Sequence, residues 1–331
     1  MKAATHSIIF GSIKTIFLAA IISVPTWGQN ANPSPNTHQA QIGMVNYVEG
    51  HAAIDGQPLN ENSVGSAVIG TGQTLTTGPG RVEVLLTPGV FLRVDHNSAV
   101  KMVSPDLADT EVAVDKGRAM VEVTEISKNN NIRIDENGAN VQLQKDGLYD
   151  FDQDQNQVRV FKGKAEVYLN NQKDGLGGDH ELILNSDAKL HSQHFDEQQY
   201  ADDFYRWSGL RSGYLAEADA DQARLYVDGG AGWYGPGWYW DPGFGAYTFI
   251  PGDGIFYSPF GWGYYSPFAI YGSPYFYGGF YGYPHHFGNL HGPYGHGFEP
   301  RGGFGFHGGG FHGGGGFHGG GHSGGRDGGR R

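Results

Sequence analysis

Between residues 41 and 190, apolar and polar side chains alternate in short runs broken by Gly, Asn, Asp and Pro. Examples are TLTTGPGRVEVLL from Thr74, VFLRVDHNSAVKM from Val90 and NVQLQ from Asn140. A period of two predicts half-buried strands, and nothing in this block repeats at helical spacing. Two stretches, EVAVDKGRAMVEV (Glu111 to Val123) and QVRVFKGKAEVYL (Gln157 to Leu169), place their apolar residues identically about a central glycine. These are Val112, Val114, Ala119 and Val121 around Gly117, then Val158, Val160, Ala165 and Val167 around Gly163. MVNYVEGHAAIDG repeats the pattern around Gly50 with Val45, Tyr47, Ala52 and Ile54. The spacing across each glycine is odd, so one flat strand would throw the two apolar pairs onto opposite faces, whereas a turn returns them to one. Glycine supplies the positive φ of a type II turn. An open hairpin and a solenoid-like corner both satisfy the pattern, and its recurrence is read as an internal repeat.

After Leu190 the period changes. In HFDEQQYADDFYRWSGLRSGYLAEADADQARLYV (His194 to Val227), Asp196 is the expected N-cap with Gln199 as its capping-box partner, and Phe195 and Tyr200 form a hydrophobic staple. Tyr200, Phe204, Trp207, Tyr214, Leu215 and Ala218 follow helical spacing, which predicts an amphipathic helix over 194–228 with its aromatic stripe against the β block. Gly209 and Gly213 predict a kink or break in it.

From Gly229 onward neither period survives. This tail holds 36 of the chain's 56 glycines and most of its aromatic residues. Residues 229–284 alternate aromatic pairs with Gly and Pro turns, and residues 285–331 are a Phe-His-Gly low-complexity stretch that predicts disorder. Trp233, Trp238, Trp240 and Trp262 are expected to be exposed rings suited to sugar or protein surfaces. The body is accordingly expected to fold without anything beyond Asp228. The predicted fold class is mainly β: a solenoid-like or sandwich-like domain over 41–193, the helix over 194–228, then the tail.

Lys2 and Lys14 precede IFLAAIISV (Ile16 to Val24), an apolar run of signal-peptide length and short of the ~20 residues of a membrane span. Residues 1–28 are read as an export signal processed after Gly28, and residues 29–40 as a polar linker. No transmembrane anchor is expected after cleavage. The absence of cysteine excludes disulfides, thiolate metal sites and a lipidated N-terminal Cys. A net charge of −12 argues against nucleic acid as a partner, since phosphate neutralisation needs a basic surface.

The β block resembles the FecR domain family. The resemblance lies in GMVNYVEGHAAIDG from Gly43, TLTTGPGRVEVLL from Thr74, TPGVFLRVDHNSAVKM from Thr87, VAVDKGRAMVEV, DGLYDF from Asp146 and VRVFKGKAEVYL, in that order over residues 42–190. It implies a twisted, solenoid-like all-β domain on the outer side of the cytoplasmic membrane. Founding members relay receptor occupancy to a cytoplasmic sigma factor through an N-terminal anti-sigma segment and a membrane helix. In this chain an export signal stands in place of that N-terminus, and the aromatic tail stands in place of the receptor-facing domain.

Candidate chemistry is sparse. Asp150, Asp152, Asp154 and Asn156 alternate as in a calcium loop, but an EF-hand needs Gly at its sixth place and Glu at its twelfth, where this chain has Gln155 and Phe161. A polar hairpin tip fits better. His180, His191 and His194 are read as surface histidines. In the tail, His285, His286, His291, His296, His307, His312, His318 and His322 could hold a borderline divalent metal, with the last four as candidate ligands; compositional drift explains them equally well. No catalytic motif falls on a suitable element, so the expectation is a non-enzymatic protein without a cofactor. Two functions are expected from these features. One is an exported binding or scaffold protein whose tail adheres to envelope polysaccharide or protein; the alternative is a regulatory sensor in FecR-type or metal-responsive signalling.

Overall fold

The computed structural model describes residues 40–184, 189–229 and 233–270. The expected export signal, most of the linker, and the tail histidines lie outside the described residues.

Fifteen strands form one strongly curved sheet. In chain order they are β1 (Val45–Ile54), β2 (Gln57–Pro58), β3 (Thr74–Leu85), β4 (Val90–Val94), β5 (Ala99–Pro105), β6 (Asp109–Lys116), β7 (Arg118–Val123) and β8 (Asn131–Glu136). They continue with β9 (Ala139–Leu143), β10 (Gly147–Asp152), β11 (Gln157–Lys162), β12 (Lys164–Leu169), β13 (Gln172–Gly177), β14 (His180–Ile183) and β15 (Ser192–His194). Neighbours run β13-β12-β9-β8-β6-β5-β3-β4-β7-β10-β11-β14-β15, with β1 on the other edge of β3. Among the described strands only β6 and β8 pair in parallel. Because β13 also lies alongside β14 and β15, the sheet curls into a nearly closed barrel.

The repeated glycines are corners of this barrel. β6 and β7 meet at Gly117 without pairing: β6 lies between β5 and β8, and β7 between β4 and β10. Likewise β11 pairs with β10 and β14, while β12 pairs with β9 and β13. Each corner carries the chain from one half of the sheet to the other, and all eight apolar positions of these two repeats join a single interior cluster. The third repeat differs. β1 runs through Gly50 as one bulged strand, so Val48 rather than Tyr47 faces inward, and Tyr47 turns outward beneath Arg211.

Two helices follow the sheet. Asp196 caps α1 (Glu197–Tyr200) by accepting a hydrogen bond from Gln198 N at 3.0 Å, and the Phe195 and Tyr200 rings meet at 5.4 Å as the staple predicts. The chain breaks at Ala201 and restarts as α2 (Asp203–Gly229), which runs through Gly209 and Gly213 without interruption. Those glycines serve close packing. A Cβ at Gly209 would sit 3.1 Å from the Phe260 ring, and one at Gly213 would sit 3.0 Å from the Trp262 ring.

The tail boundary also needs correction. Two hairpins, β16 (Gly237–Asp241) with β17 (Ala246–Ile250) and β18 (Ile255–Tyr257) with β19 (Gly263–Tyr265), pack on α2 and the sheet. Residues 233–270 therefore belong to the folded body, and residue 229 is no boundary. The four tryptophans expected as exposed rings are half-buried instead. Trp238 meets Phe91 edge-on at 4.9 Å, Trp240 meets Tyr247 at 5.1 Å, and Trp233 meets Phe268 at 5.2 Å. Trp262 donates its Nε1–H to Gly209 O at 3.1 Å. Aromatic pairs without a regular period do make a layer when a helix supplies the opposing surface.

Candidate functional site: a charged row beneath the cap

Strands β4, β7, β10 and β11 and the last four residues of β3, Val82 to Leu85, are buried on both faces over most of their length. Val82, Val84, Leu92, Val121, Phe151 and Val160 point into the barrel. The opposite face carries Leu85 and Phe91 in one apolar cluster with Leu215, Tyr247 and Phe249, and Met120, Leu148 and Phe161 in a second with Phe195, Phe204 and Phe260. Helix α2 and the hairpins thus form a cap over that face.

Between the two apolar clusters runs a cross-strand row. Glu83 pairs with Arg93, Arg93 with Met120, Met120 with Asp150, Asp150 with Arg159, and Arg159 with Glu181 across six strands. Its charges alternate on either side of Met120. Side chains directly opposite in antiparallel strands lie ~4.5–5.5 Å apart at Cβ, so the register itself creates the ion pairs. Glu83, Arg93, Glu122 and Asp150 are wholly buried, and Arg159 nearly so.

At one end, Arg93 Nε donates to Glu83 Oε2 at 3.0 Å and its Nη1 donates to Glu122. The cap completes this group. Arg211 Nη2 donates to Glu83 Oε1 at 2.9 Å, and Ser212 Oγ donates to Glu122 Oε1 at 2.7 Å. Asn46 donates to Glu83 at 3.0 Å and clamps the β17 backbone, donating to Tyr247 O at 2.9 Å and accepting from Tyr247 N at 2.7 Å. Burial raises the Glu83 carboxyl, but Arg211 and Arg93 outweigh it and hold the group below the usual carboxylate range. Burial dominates at Glu122 and pushes it up against the pull of Arg93.

At the other end, Asp150 accepts from Arg118 Nε at 2.7 Å and from Arg159 Nη1 at 2.8 Å. Arg159 Nε reaches Glu181 at 3.2 Å, and its guanidinium lies 4.1 Å from the Tyr200 ring centroid. Arg118 also pairs with Asp202 at the start of α2, and Arg81 pairs with Asp203 at 2.9 Å. Both ends therefore join sheet to cap. Charges held this way are committed to one another, and removing one partner leaves its counterpart buried and uncompensated.

The sequence contained a signal for this row. Each member is a charge set within an apolar run (VEV, LRV, YDF, VRV, ELI), and the signs alternate in pairing order. Alternation puts them on the face opposite Val82, Val84 and Val160 but does not say what covers that face. Asp152 and Asp154, expected at a hairpin tip, accept from Gln155 N and Gly117 N at 3.1 Å each, while Asp150 belongs to the row. Among the described residues no group of three or more His, Asp or Glu side chains is placed to hold a metal ion. Among them, too, no helix is long and apolar enough to cross a membrane.

Residues 73–166 match the family described as FecR protein, spanning β3 to the middle of β12. This segment is a FecR domain. Two crystal structures of a candidate anti-sigma factor from Parabacteroides distasonis ATCC 8503, at 1.65 and 2.50 Å resolution, are similar at 15% and 16% identity with TM-scores of 0.34 and 0.33. The similarity covers 39% and 38% of this chain and 62% and 61% of theirs, so it spans less than two thirds of those relatives. No curated protein matches the chain. In this protein the FecR segment supplies Glu83, Arg93, Glu122, Asp150 and Arg159, and the residues after it supply the cap.

Proposed function

We propose that the protein is a non-enzymatic, FecR-type regulatory protein of the cell envelope, exported by its N-terminal segment, whose FecR domain meets a protein partner through its uncapped face. The match of residues 73–166 to the FecR family carries this reading. The face opposite the cap supports it. There β6, β8, β9, β12 and β13 display Asp109 with Arg133 at 3.0 Å, Asn131 with Gln142 at 2.7 Å and Glu166 with Lys173 at 2.9 Å, all at least partly open to solvent. Polar, charge-laced surfaces of this kind select partners by complementarity more than by bulk apolar burial. The adhesive reading loses support because Trp233, Trp238, Trp240 and Trp262 are engaged inside the cap.

Transcript profiling of a deletion strain and of a strain carrying Arg133→Glu distinguishes the readings. A regulator shifts a defined set of transcripts in both strains, and the mature N-terminus read by mass spectrometry begins near Gln29. A scaffold leaves transcripts unchanged and loses retention on envelope material. Unchanged transcripts in both strains, or a retained Met1 in the cytoplasmic fraction, overturn the proposal.

A further inference from the structure

The terminal pair of the sheet path brings together two histidines that the sequence separates. β14 and β15 are antiparallel with His180 directly opposite His194, and their ring centroids are 5.8 Å apart. Neither ring is buried in the core: His194 is exposed and His180 half-buried. Their side of the ladder differs from that of Glu181 and Gln193, which join at 2.8 Å on the face that carries the charged row, so the imidazoles do not take part in that row.

His180 is also oriented. Its Nδ1 lies 2.8 Å from Gly178 O, and a carbonyl can only accept, so Nδ1 carries a proton and the neutral ring presents its lone pair at Nε2. A histidine that donates one ring N–H to a backbone carbonyl while the other nitrogen stays free has the arrangement used by metal-binding imidazoles. The spacing fits as well. Metal–nitrogen bonds of about 2.0–2.1 Å in tetrahedral geometry put two ligating rings roughly 5 Å apart, so a small side-chain rotation closes the observed separation.

We propose that His180 and His194 form a two-imidazole site for a borderline divalent cation of the Zn²⁺, Ni²⁺ or Cu²⁺ class, with water filling the remaining positions. Imidazole nitrogen suits this class, whereas Ca²⁺ and Mg²⁺ require oxygen ligands. The location gives binding a consequence. β15 is held to β14 by three residue pairs, and the next residue, Phe195, docks on Phe161 at 5.2 Å at the entrance to the cap. A cation bridging the two strands clamps the short terminal strand where the sheet hands over to α1.

The test is the melting temperature of the full chain with Zn²⁺ or with EDTA, compared with His180→Gln and His194→Gln. A ligand that prefers the folded state raises the melting temperature by mass action. A rise of several degrees is expected for the parent chain and loss of that rise in either variant, with all melts in EDTA alike. A third chain carrying His307→Ala, His312→Ala, His318→Ala and His322→Ala is expected to keep the rise. No rise in the parent chain overturns the site. Persistence of the rise in both strand variants, or its loss in the third chain, also overturns it and assigns the metal elsewhere. A changed melt in EDTA for either strand variant shows that the pair is held by contacts other than metal, and counts against it.

Discussion

A side chain at Gly163 has nowhere to go. With φ at +103° the backbone lies where L-residues are strained, and a Cβ there would meet Tyr149 Oη at 2.4 Å; Gly117, at φ +68°, would meet Ser98 Oγ at 2.3 Å. Gly163→Val and Gly117→Val are each expected to cost at least ~2 kcal/mol, the sum of backbone strain and displacement of a bonded neighbour, read as a lower denaturation midpoint at unchanged slope. Glu136 tests the opposite sign. Burial, with Asp150 and Asp152 nearby, pushes its carboxyl from 4.5 to about 9. A raised pKa contributes stability that is complete below the unfolded value near 4.5 and is lost as the pH climbs toward 9. Glu136→Gln removes that loss. The variant is expected to be more stable than the parent by about 3 kcal/mol at pH 7, with the difference vanishing near pH 4 in urea titrations at the two pH values.

At the scale of elements, the row from Glu83 to Glu181 explains why α2 lies where it does. Arg211 and Ser212 project from one turn of the helix onto Glu83 and Glu122, and Asp202 and Asp203 at its start meet Arg118 and Arg81. Arg93 is the hub on the sheet side, bonded to both buried glutamates. Arg93→Met is expected to destabilise the protein by about 3–5 kcal/mol, because Glu122 keeps only the Ser212 hydroxyl as a donor. Adding Glu122→Gln is expected to recover part of the loss. A double-mutant cycle by chemical denaturation measures the coupling, and additive losses would refute the hub role.

For the whole molecule, sheet, helix and hairpins fold as one unit through residue 270. A chain ending at Asp228 uncovers Leu85 and Phe91 and removes Tyr247, Phe249 and Tyr264 from the layer above them. Burying one such side chain stabilises by roughly 1.5–3 kcal/mol. The shortened chain is therefore expected to melt well below the parent and to bind a hydrophobic dye, as seen by calorimetry and 1-anilinonaphthalene-8-sulfonate fluorescence. An unchanged melt would restore the boundary at residue 229.

Local pattern determined a good deal by itself. Alternation located most of the strands, the matched glycines marked two corners with positive φ, the Asp196 cap and the Phe195–Tyr200 staple marked the entry to the helices, and the ordered motifs pointed to the FecR family. Tertiary structure decided the rest. Hairpin and corner share one apolar pattern, and only the pairing of β6 and β7 with different neighbours separates them. Period two says which side chains share a face but not whether that face meets water, so the burial of Glu83, Arg93 and Asp150 is decided by the cap above them. The cap is not legible in local pattern because Gly- and Pro-rich aromatic hairpins have no period of their own. Their order comes from the surface of α2, and His180 meets His194 only because β14 and β15 pair in that register.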